Sequence, residues 1–300
     1  MSRNFNWGSR DMASAGRNAL QQTGAGLQTI ADTIQRFQQF KEFAKNEGIG
    51  RMERIDSDLV TRYGQQLADR ADSCEISPAY AQNLLSSVNT VMRAVTSGEW
   101  RSISPTKDCH IPPRCNVRST PTPSKFDTQK LNLSERQAAV VNLAQDLGLR
   151  SKEASLLNAK SAYSQAVERG VITVSDGTKG GREREIPINN ERQIATLRSA
   201  AAAQGEARAV MPPQENWKSW RESGLRAARE TAAEAAGARG LHDLRAAYAA
   251  ERYQSITGHP APCNRGQIAD RAADRAARMQ IAKELGHGRI DVVSSYVGGR

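Results

Sequence analysis

Near its end the chain reads Glu284-Leu285-Gly286-His287-Gly288-Arg289-Ile290-Asp291-Val292-Val293-Ser294-Ser295-Tyr296-Val297. A histidine follows a Leu-Gly pair, and a tyrosine stands nine residues beyond it. Ile290, Val293 and Val297 fall at i, i+3 and i+7, which predicts a short helix with one apolar face. Asp291 sits in its first turn, where a carboxylate suits the helix dipole. Tyr296 lies on the flank of that face. Taken alone it reads as a packing tyrosine that pins a helix, so its role depends on the rest of the chain.

The bulk numbers set the frame. At 300 residues, the chain suits one large domain or two ordinary ones. Hydrophobic residues make up 38% and aromatics 5%, so the cores are built mainly from Ala, Leu, Ile and Val. A formal charge of +10 favours a polyanionic partner, most simply nucleic acid. The basic excess is not confined to a tail: Lys and Arg outnumber Asp and Glu by 15 to 12 up to Thr120, and by 27 to 20 from Pro121 onward. No apolar run approaches the roughly 18–20 residues of a membrane span, and the N-terminus lacks the apolar core of a secretory signal. Four cysteines give no disulfide framework, which points to the cytoplasm. Cys109, His110 and Cys115 cluster without a fourth zinc ligand, so they read as reduced thiols and a histidine in a linker.

Along the chain, residues 1–26 are rich in Ser, Gly, Asn, Gln and Arg and read as a flexible arm. Residues 27–101 read as a bundle of at least three helices. The first carries Ile30, Ile34, Phe37 and Phe40; the second is capped by Asp56; the third starts at Ser77-Pro78. Residues 102–126 hold five of the eleven prolines and read as an extended linker. Residues 127–300 form a second domain, opening on a capping box at Ser134 and Gln137. Val171–Val174 and Glu185–Ile188 read as two short strands joined by a glycine-rich hairpin. Helices are expected over 191–204, 215–236, from Leu241 through Ala250, and over 268–285. The fold class is therefore mainly α with a small antiparallel β element.

Five motifs, in order, resemble the tyrosine recombinase (phage integrase) family. They are Gly148-Leu149-Arg150-Ser151-Lys152-Glu153-Ala154, the Thr178-Lys179-Gly180-Gly181 turn, His242-Asp243-Leu244-Arg245, Leu285-Gly286-His287, and Tyr296. Each alone is weak; the His-x-x-Arg motif followed by Leu-Gly-His and a tyrosine nine residues later is specific. The resemblance covers 148–296, and the preceding helical segment looks like the family's core-binding domain. It implies a site-specific recombinase or integrase that breaks and rejoins DNA through a 3′-phosphotyrosine, with no cofactor and no metal. Tyr296 matches the nucleophile, Arg150 and Arg245 the two catalytic arginines, and His242 the general acid/base. His287 matches the second histidine, and Lys179 the lysine that protonates the leaving 5′-hydroxyl.

The chemistry is consistent with those residue types. A nucleophile that stores the phosphate avoids hydrolysis. A free phenol is only about 0.1% ionised at neutral pH, so it needs a base or a strongly positive site. Two guanidiniums that fork onto phosphate oxygens stabilise the charge of the transition state. His242 and Arg245 are three residues apart and project from one helical face. Glu153 reads as a buried structural partner, Arg182 and Arg184 as phosphate or solvent contacts, and His259 as a loop histidine. Tyr248 and Tyr253 do not follow Leu-Gly-His and compete only weakly for the nucleophile's role.

The implied partners are double-stranded DNA, a homo-tetramer acting on two DNA sites, and accessory DNA-bending proteins. The implied place is the cytoplasm, at the nucleoid when bound to DNA. Two other readings stay open: a catalytically inactive DNA-binding protein of the same fold, and a related nicking-closing or resolvase activity. The chain departs from the family pattern twice. Arg245 and His287 are 42 residues apart, a longer spacing than usual, with the surplus around Gly258 to Arg271 open to DNA or a neighbouring protomer. Four residues follow Tyr296, where many members carry a longer tail that docks on the next subunit. That predicts a terminal helix held in place by DNA and a partner.

Overall fold

The structure is a computed structural model that describes residues 3–268 and 270–299. The chain divides at Cys115–Asn116 into two compact units, each with its own apolar interior.

The first unit contains α1 (Met12–Gln22), α2 (Leu27–Asn46), α3 (Ser57–Asp72) and α4 (Pro78–Val95). The starts follow the caps read from the sequence. The Asp56 side chain accepts from the Leu59 amide at 2.8 Å, and Ser77 caps α4 with Pro78 in the first turn. Ile34, Phe37, Phe40, Leu67, Leu84 and Leu85 fill the centre.

Residues 3–26 differ from the arm expected over 1–26, whose first two residues lie outside the described ones. They contain α1, capped by Asp11 through the Ser14 amide at 2.8 Å, and Met12, Ala15, Ala19 and Leu20 are buried in the unit's core. The buried face is made of small residues. At Gly16 a Cβ would stand 2.7 Å from Val91 Cγ1, so close approach to α4 takes the place of bulk hydrophobicity. The proline-rich stretch is irregular in backbone, yet Ile103, Cys109 and Ile111 pack into the same core. Cys109 is buried, whereas His110 and Cys115 are exposed.

The second unit begins with α5 (Glu135–Leu147), α6 (Ser151–Leu156) and α7 (Ala159–Arg169). The capping box at Ser134 and Gln137 is present. Strands β1 (Val171–Val174) and β2 (Arg184–Pro187) pair antiparallel, with Val171 opposite Pro187 and Val174 opposite Arg184. Alternation buries Ile172 and Val174 on one strand and Arg184 and Ile186 on the other. Then follow α8 (Glu191–Gln204), α9 (Trp217–Glu222), α10 (Gly224–Ala236), α11 (Leu241–Thr257), α12 (Arg271–Glu284) and α13 (Ser294–Val297). The helix expected over 215–236 is broken at Ser223, whose φ of −110° and ψ of −100° are not helical.

The central element is α11. Leu241 and Leu244 join the core shared by α5, α7, α8 and the hairpin, while Ala246, Tyr248, Ala249, Ala250 and Tyr253 join a separate cluster with α12 and α13. A helix buried on most of its circumference needs small residues to admit its neighbours, which accounts for its alanines. The stretch from Gly258 to Arg271 carries a 3-10 turn at Pro262–Asn264. Cys263 of that turn is buried against the end of the chain, its Sγ 3.5 Å from the Tyr296 carbonyl oxygen.

Candidate active site

Four elements deliver the site's side chains within the second unit. Gly148 ends α5 in the left-handed conformation (φ 63°), and a Cβ there would lie 2.5 Å from the Tyr248 ring. Glycine is therefore required twice over, by backbone and by space. The turn it makes brings Arg150 to the N-cap of α6. There the Arg150 amide donates to Glu153 Oε2 at 2.7 Å, and its Nη1 to Glu153 Oε1 at 2.6 Å. Arg150 keeps a quarter of its side chain exposed, whereas Glu153 is fully buried.

Glu153 also receives Arg184 from β2 as a bidentate pair, at 2.9 Å and 2.7 Å. Burial alone would raise the Glu153 pKa; the Arg184 hydrogen bonds and charge, with Arg150, outweigh it and hold it at about 2. Arg184 Nε donates to the Glu284 carbonyl oxygen at 2.7 Å, which ties β2 to the end of α12. This role corrects the reading of Arg184 as a phosphate or solvent contact. Its position opposite Val174, in phase with buried Ile186, was the available signal.

Arg245, from α11, is 1% exposed. Its two terminal nitrogens donate to the carbonyl oxygens of Gly148 and Leu285, while its Nε is buried without a hydrogen-bond partner among the described residues. Burial lowers its pKa to about 10, against the pull of Tyr296 and with repulsion from Arg150, so it stays charged at neutral pH. Arg150 Nη2 shares the Leu285 carbonyl at 3.3 Å. The two arginines of motifs far apart in sequence thus converge on one backbone oxygen beside His287.

Tyr296 is 3% exposed. Its hydroxyl lies 3.0 Å from His287 Nε2, and its ring stands 5.3 Å from the His242 ring and 5.7 Å from the Arg245 guanidinium carbon. Burial, then Arg245 and Arg150, push the His287 pKa down to about 4. His242 keeps an exposed edge; the crowding of the rest of its ring, with Arg245 and Arg150, lowers its pKa as well. Both imidazoles are therefore neutral at physiological pH and able to accept a proton.

The terminal helix is held by the chain's own residues, unlike the expectation that DNA and a partner secure it. The Arg118 amide donates to the Ser294 carbonyl oxygen at 2.9 Å, and Arg118 Nη1 pairs with Asp243 at 2.8 Å. One residue thus braces the starts of both α11 and α13. Sequence reasoning missed Arg118, as it missed Glu284. The Glu284 carboxylate accepts from the Tyr248 hydroxyl at 2.8 Å and from Arg252 Nε at 3.0 Å.

Of the six residues singled out from the sequence, five come together: Arg150, His242, Arg245, His287 and Tyr296. Lys179 does not. It is exposed in the turn between β1 and β2 and, among the described residues, makes no hydrogen bond or ion pair with the cluster. Beside that hairpin a groove of about 550 Å³ is lined by Arg182, Arg184, Lys283, His287 and Gly288, among others. A buried phenol, two neutral imidazoles and two guanidiniums can bind an anionic ester, take up a phenolic proton and stabilise added negative charge.

Comparison with known proteins adds a family likeness over part of the chain and a shared fold. A search of curated proteins gives no match. The integrase family model matches residues 124–251. Among solved structures, the XerH site-specific recombinase bound to a palindromic difH substrate is similar at 15% identity, with 96% of this chain and 81% of that chain covered and a TM-score of 0.60. A lambda integrase dimer bound to a COC′ core site is similar at 15% identity, with 95% and 75% covered and a TM-score of 0.58. At such identities the likeness speaks for the fold, and the matched segment spans the turn at Arg150, the hairpin and the His-x-x-Arg helix. Residues 124–251 are therefore similar to the integrase family, and the chain shares the fold of these tyrosine recombinases.

Proposed function

We propose that the protein is a site-specific DNA recombinase that cleaves and rejoins DNA strands through a 3′-phosphotyrosine intermediate formed on Tyr296. The observation that carries this reading is the placement of the Tyr296 hydroxyl 3.0 Å from His287 Nε2, inside the pocket that holds Arg245, Arg150 and His242. In this reading the scissile phosphate enters beside Arg150, the more exposed of the two arginines. Arg150 and Arg245 exchange backbone acceptors for its non-bridging oxygens and stabilise the pentavalent transition state. A neutral imidazole accepts the phenolic proton, with His242 as the general acid/base and His287 as donor to the phosphate. The Tyr296 oxygen bonds to phosphorus as the bond to the 5′-oxygen breaks. Lys179 supplies the proton to that oxygen when the hairpin turn closes on the DNA. Reversal by the 5′-hydroxyl of another strand completes the exchange and conserves the ester's free energy.

The first unit serves in this proposal as the DNA-binding core-binding domain. Duplex DNA is the partner, four protomers assemble on two sites, and accessory proteins bend the DNA. The positive charge of the whole chain supports phosphate contacts that weaken steeply with salt.

The test is a nicked suicide duplex bearing the cognate site, taken from the sequences that flank the reading frame. Wild-type protein is expected to give a covalent adduct on a denaturing gel, and Tyr296→Phe none. An adduct with Tyr296→Phe overturns the assignment of the nucleophile. Binding without an adduct on a cognate duplex favours a DNA-binding protein of the same fold. Adduct and relaxation without exchange between two labelled sites favour a nicking-closing enzyme.

A further inference from the structure

Arg278 takes no part in the chemistry above, yet it is among the most deeply buried side chains in the protein, 1% exposed. A guanidinium buried this far needs a partner charge and hydrogen-bond acceptors. Both are present. Its Nε donates to Asp274 Oδ1 at 2.7 Å, one turn earlier on α12, and Asp274 is itself 2% exposed. The Tyr253 hydroxyl donates to the same Asp274 oxygen at 2.9 Å, and the Arg278 guanidinium carbon lies 5.9 Å from the Tyr253 ring centre.

Both terminal nitrogens reach the segment that bears Tyr296. Nη1 donates to Ser294 Oγ at 3.2 Å and to the Gly298 carbonyl oxygen at 3.0 Å; Nη2 donates to the Gly299 carbonyl oxygen at 3.2 Å. One rigid, planar group therefore grips the backbone and a side chain on both sides of Tyr296. A point charge on a flexible stem does not reproduce that fork.

We infer that the buried Asp274–Arg278 pair is a positioning clamp for the nucleophile, holding residues 294–299 so that the Tyr296 hydroxyl stays aligned with His287 and Arg245. In-line attack tolerates little displacement; a misplacement of about 1 Å costs about 10²-fold in rate. The catalytic half of the inference rests on the strand-cleavage reading proposed above; the structural half does not.

Two measurements on the full-length protein separate these halves. The first is hydrogen exchange of the 290–299 peptide without DNA, in wild type and Arg278→Lys. Exchange is expected to accelerate at least tenfold in the variant, with the 135–147 peptide unchanged. Unchanged exchange in 290–299 overturns the clamp whatever happens to DNA. The second is single-turnover adduct formation on the suicide duplex alongside the Kd for the same duplex. Arg278→Lys is expected to slow the adduct at least tenfold with Kd held within threefold. A rate that falls only in step with Kd overturns the positioning role. Accelerated exchange together with a wild type that forms no adduct sinks the recombinase reading and leaves the clamp standing. Should Arg278→Lys fail to fold, Ser294→Ala removes one acceptor and leaves the buried pair intact. It is expected to speed exchange of 290–299 about threefold, and no change there overturns the clamp.

Discussion

Nε2 of His287 lies 3.0 Å from the hydroxyl oxygen of Tyr296, and the ring behind it is kept neutral by burial and by the two arginines nearby. A neutral imidazole at that distance orients the phenol whose proton His242 takes in the proposed reaction; a charged one only repels the guanidiniums it faces. His287→Gln keeps a donor for the phosphate but loses the rigid ring nitrogen that aligns the phenol. It is expected to slow adduct formation about 10²-fold, as misalignment of an attacking group does, while DNA affinity stays within threefold. Single-turnover gels and a binding titration on the same duplex check this.

The same depression of pKa makes stability pH-dependent in two separate windows. His287 titrates at about 4 when folded, against 6.5 as a free side chain. The unfolded chain takes up that proton first, so the contribution of neutral His287 is complete above about pH 6.5 and declines as pH falls toward 4. His242, also lowered, adds to this window. Glu153, held at about 2 against 4.5, contributes fully above pH 4.5 and loses that contribution as pH falls toward 2. Urea midpoints at pH 7.5, 6, 5 and 4 are expected to fall steadily in wild type. His287→Gln flattens that slope, and His242 keeps it from vanishing.

Glu153 joins Arg150 and Arg184 from inside the fold, fully buried itself. Removing the carboxylate leaves Arg184, only 6% exposed, without its counter-charge. Glu153→Ala is therefore expected to destabilise by about 3–5 kcal/mol, as breaking one side of a buried pair does. Equilibrium urea unfolding checks the magnitude.

Gly148 and Gly170 offer a matched comparison. Both hold positive φ, 63° and 66°, but a Cβ at Gly170 meets open space while one at Gly148 meets the Tyr248 ring at 2.5 Å. Gly170→Ala is expected to cost about 1 kcal/mol, the backbone term alone. Gly148→Ala adds displacement of Tyr248 from Glu284 and a shift of Arg150, so it is expected to cost more and to lower adduct formation. Thermal unfolding and the suicide-duplex assay on the two variants check the difference.

Lys179 is exposed and outside the cluster, so Lys179→Ala is expected to change stability by less than about 0.5 kcal/mol. In its proposed role as the acid for the 5′-oxygen, its loss slows cleavage about 10²-fold. A substrate with sulfur in place of that bridging oxygen needs no such proton. Recovery of the rate on that substrate checks the assignment.

Much of this was legible in the residues. Caps at Asp56, Ser77 and Ser134 set helix starts because a side-chain oxygen and a free amide are local matters. His242 and Arg245 share a face because their spacing matches a helical turn. Charged residues were harder to read, since their usual place is the surface. Arg184 and Arg278 are buried only because carboxylates at Glu153 and Asp274 are buried with them, and the Glu284 carbonyl that Arg184 reaches lies 100 residues away. The arm-like composition of 12–22 hid a packed helix because alanine and glycine bury little area each and work through close approach.

The sequence by itself determined the set of candidate groups and their order: Arg150, Lys179, His242, Arg245, His287 and Tyr296 stand in motifs that local spacing makes recognisable. The tertiary structure alone decided that five of these share one pocket and that Lys179 waits outside it. It also decided that Arg118 and Arg278 bond to the residues on either side of Tyr296. Those facts depend on contacts between residues distant in the chain, where a single guanidinium satisfies carbonyls of separate elements and no local pattern records the pairing.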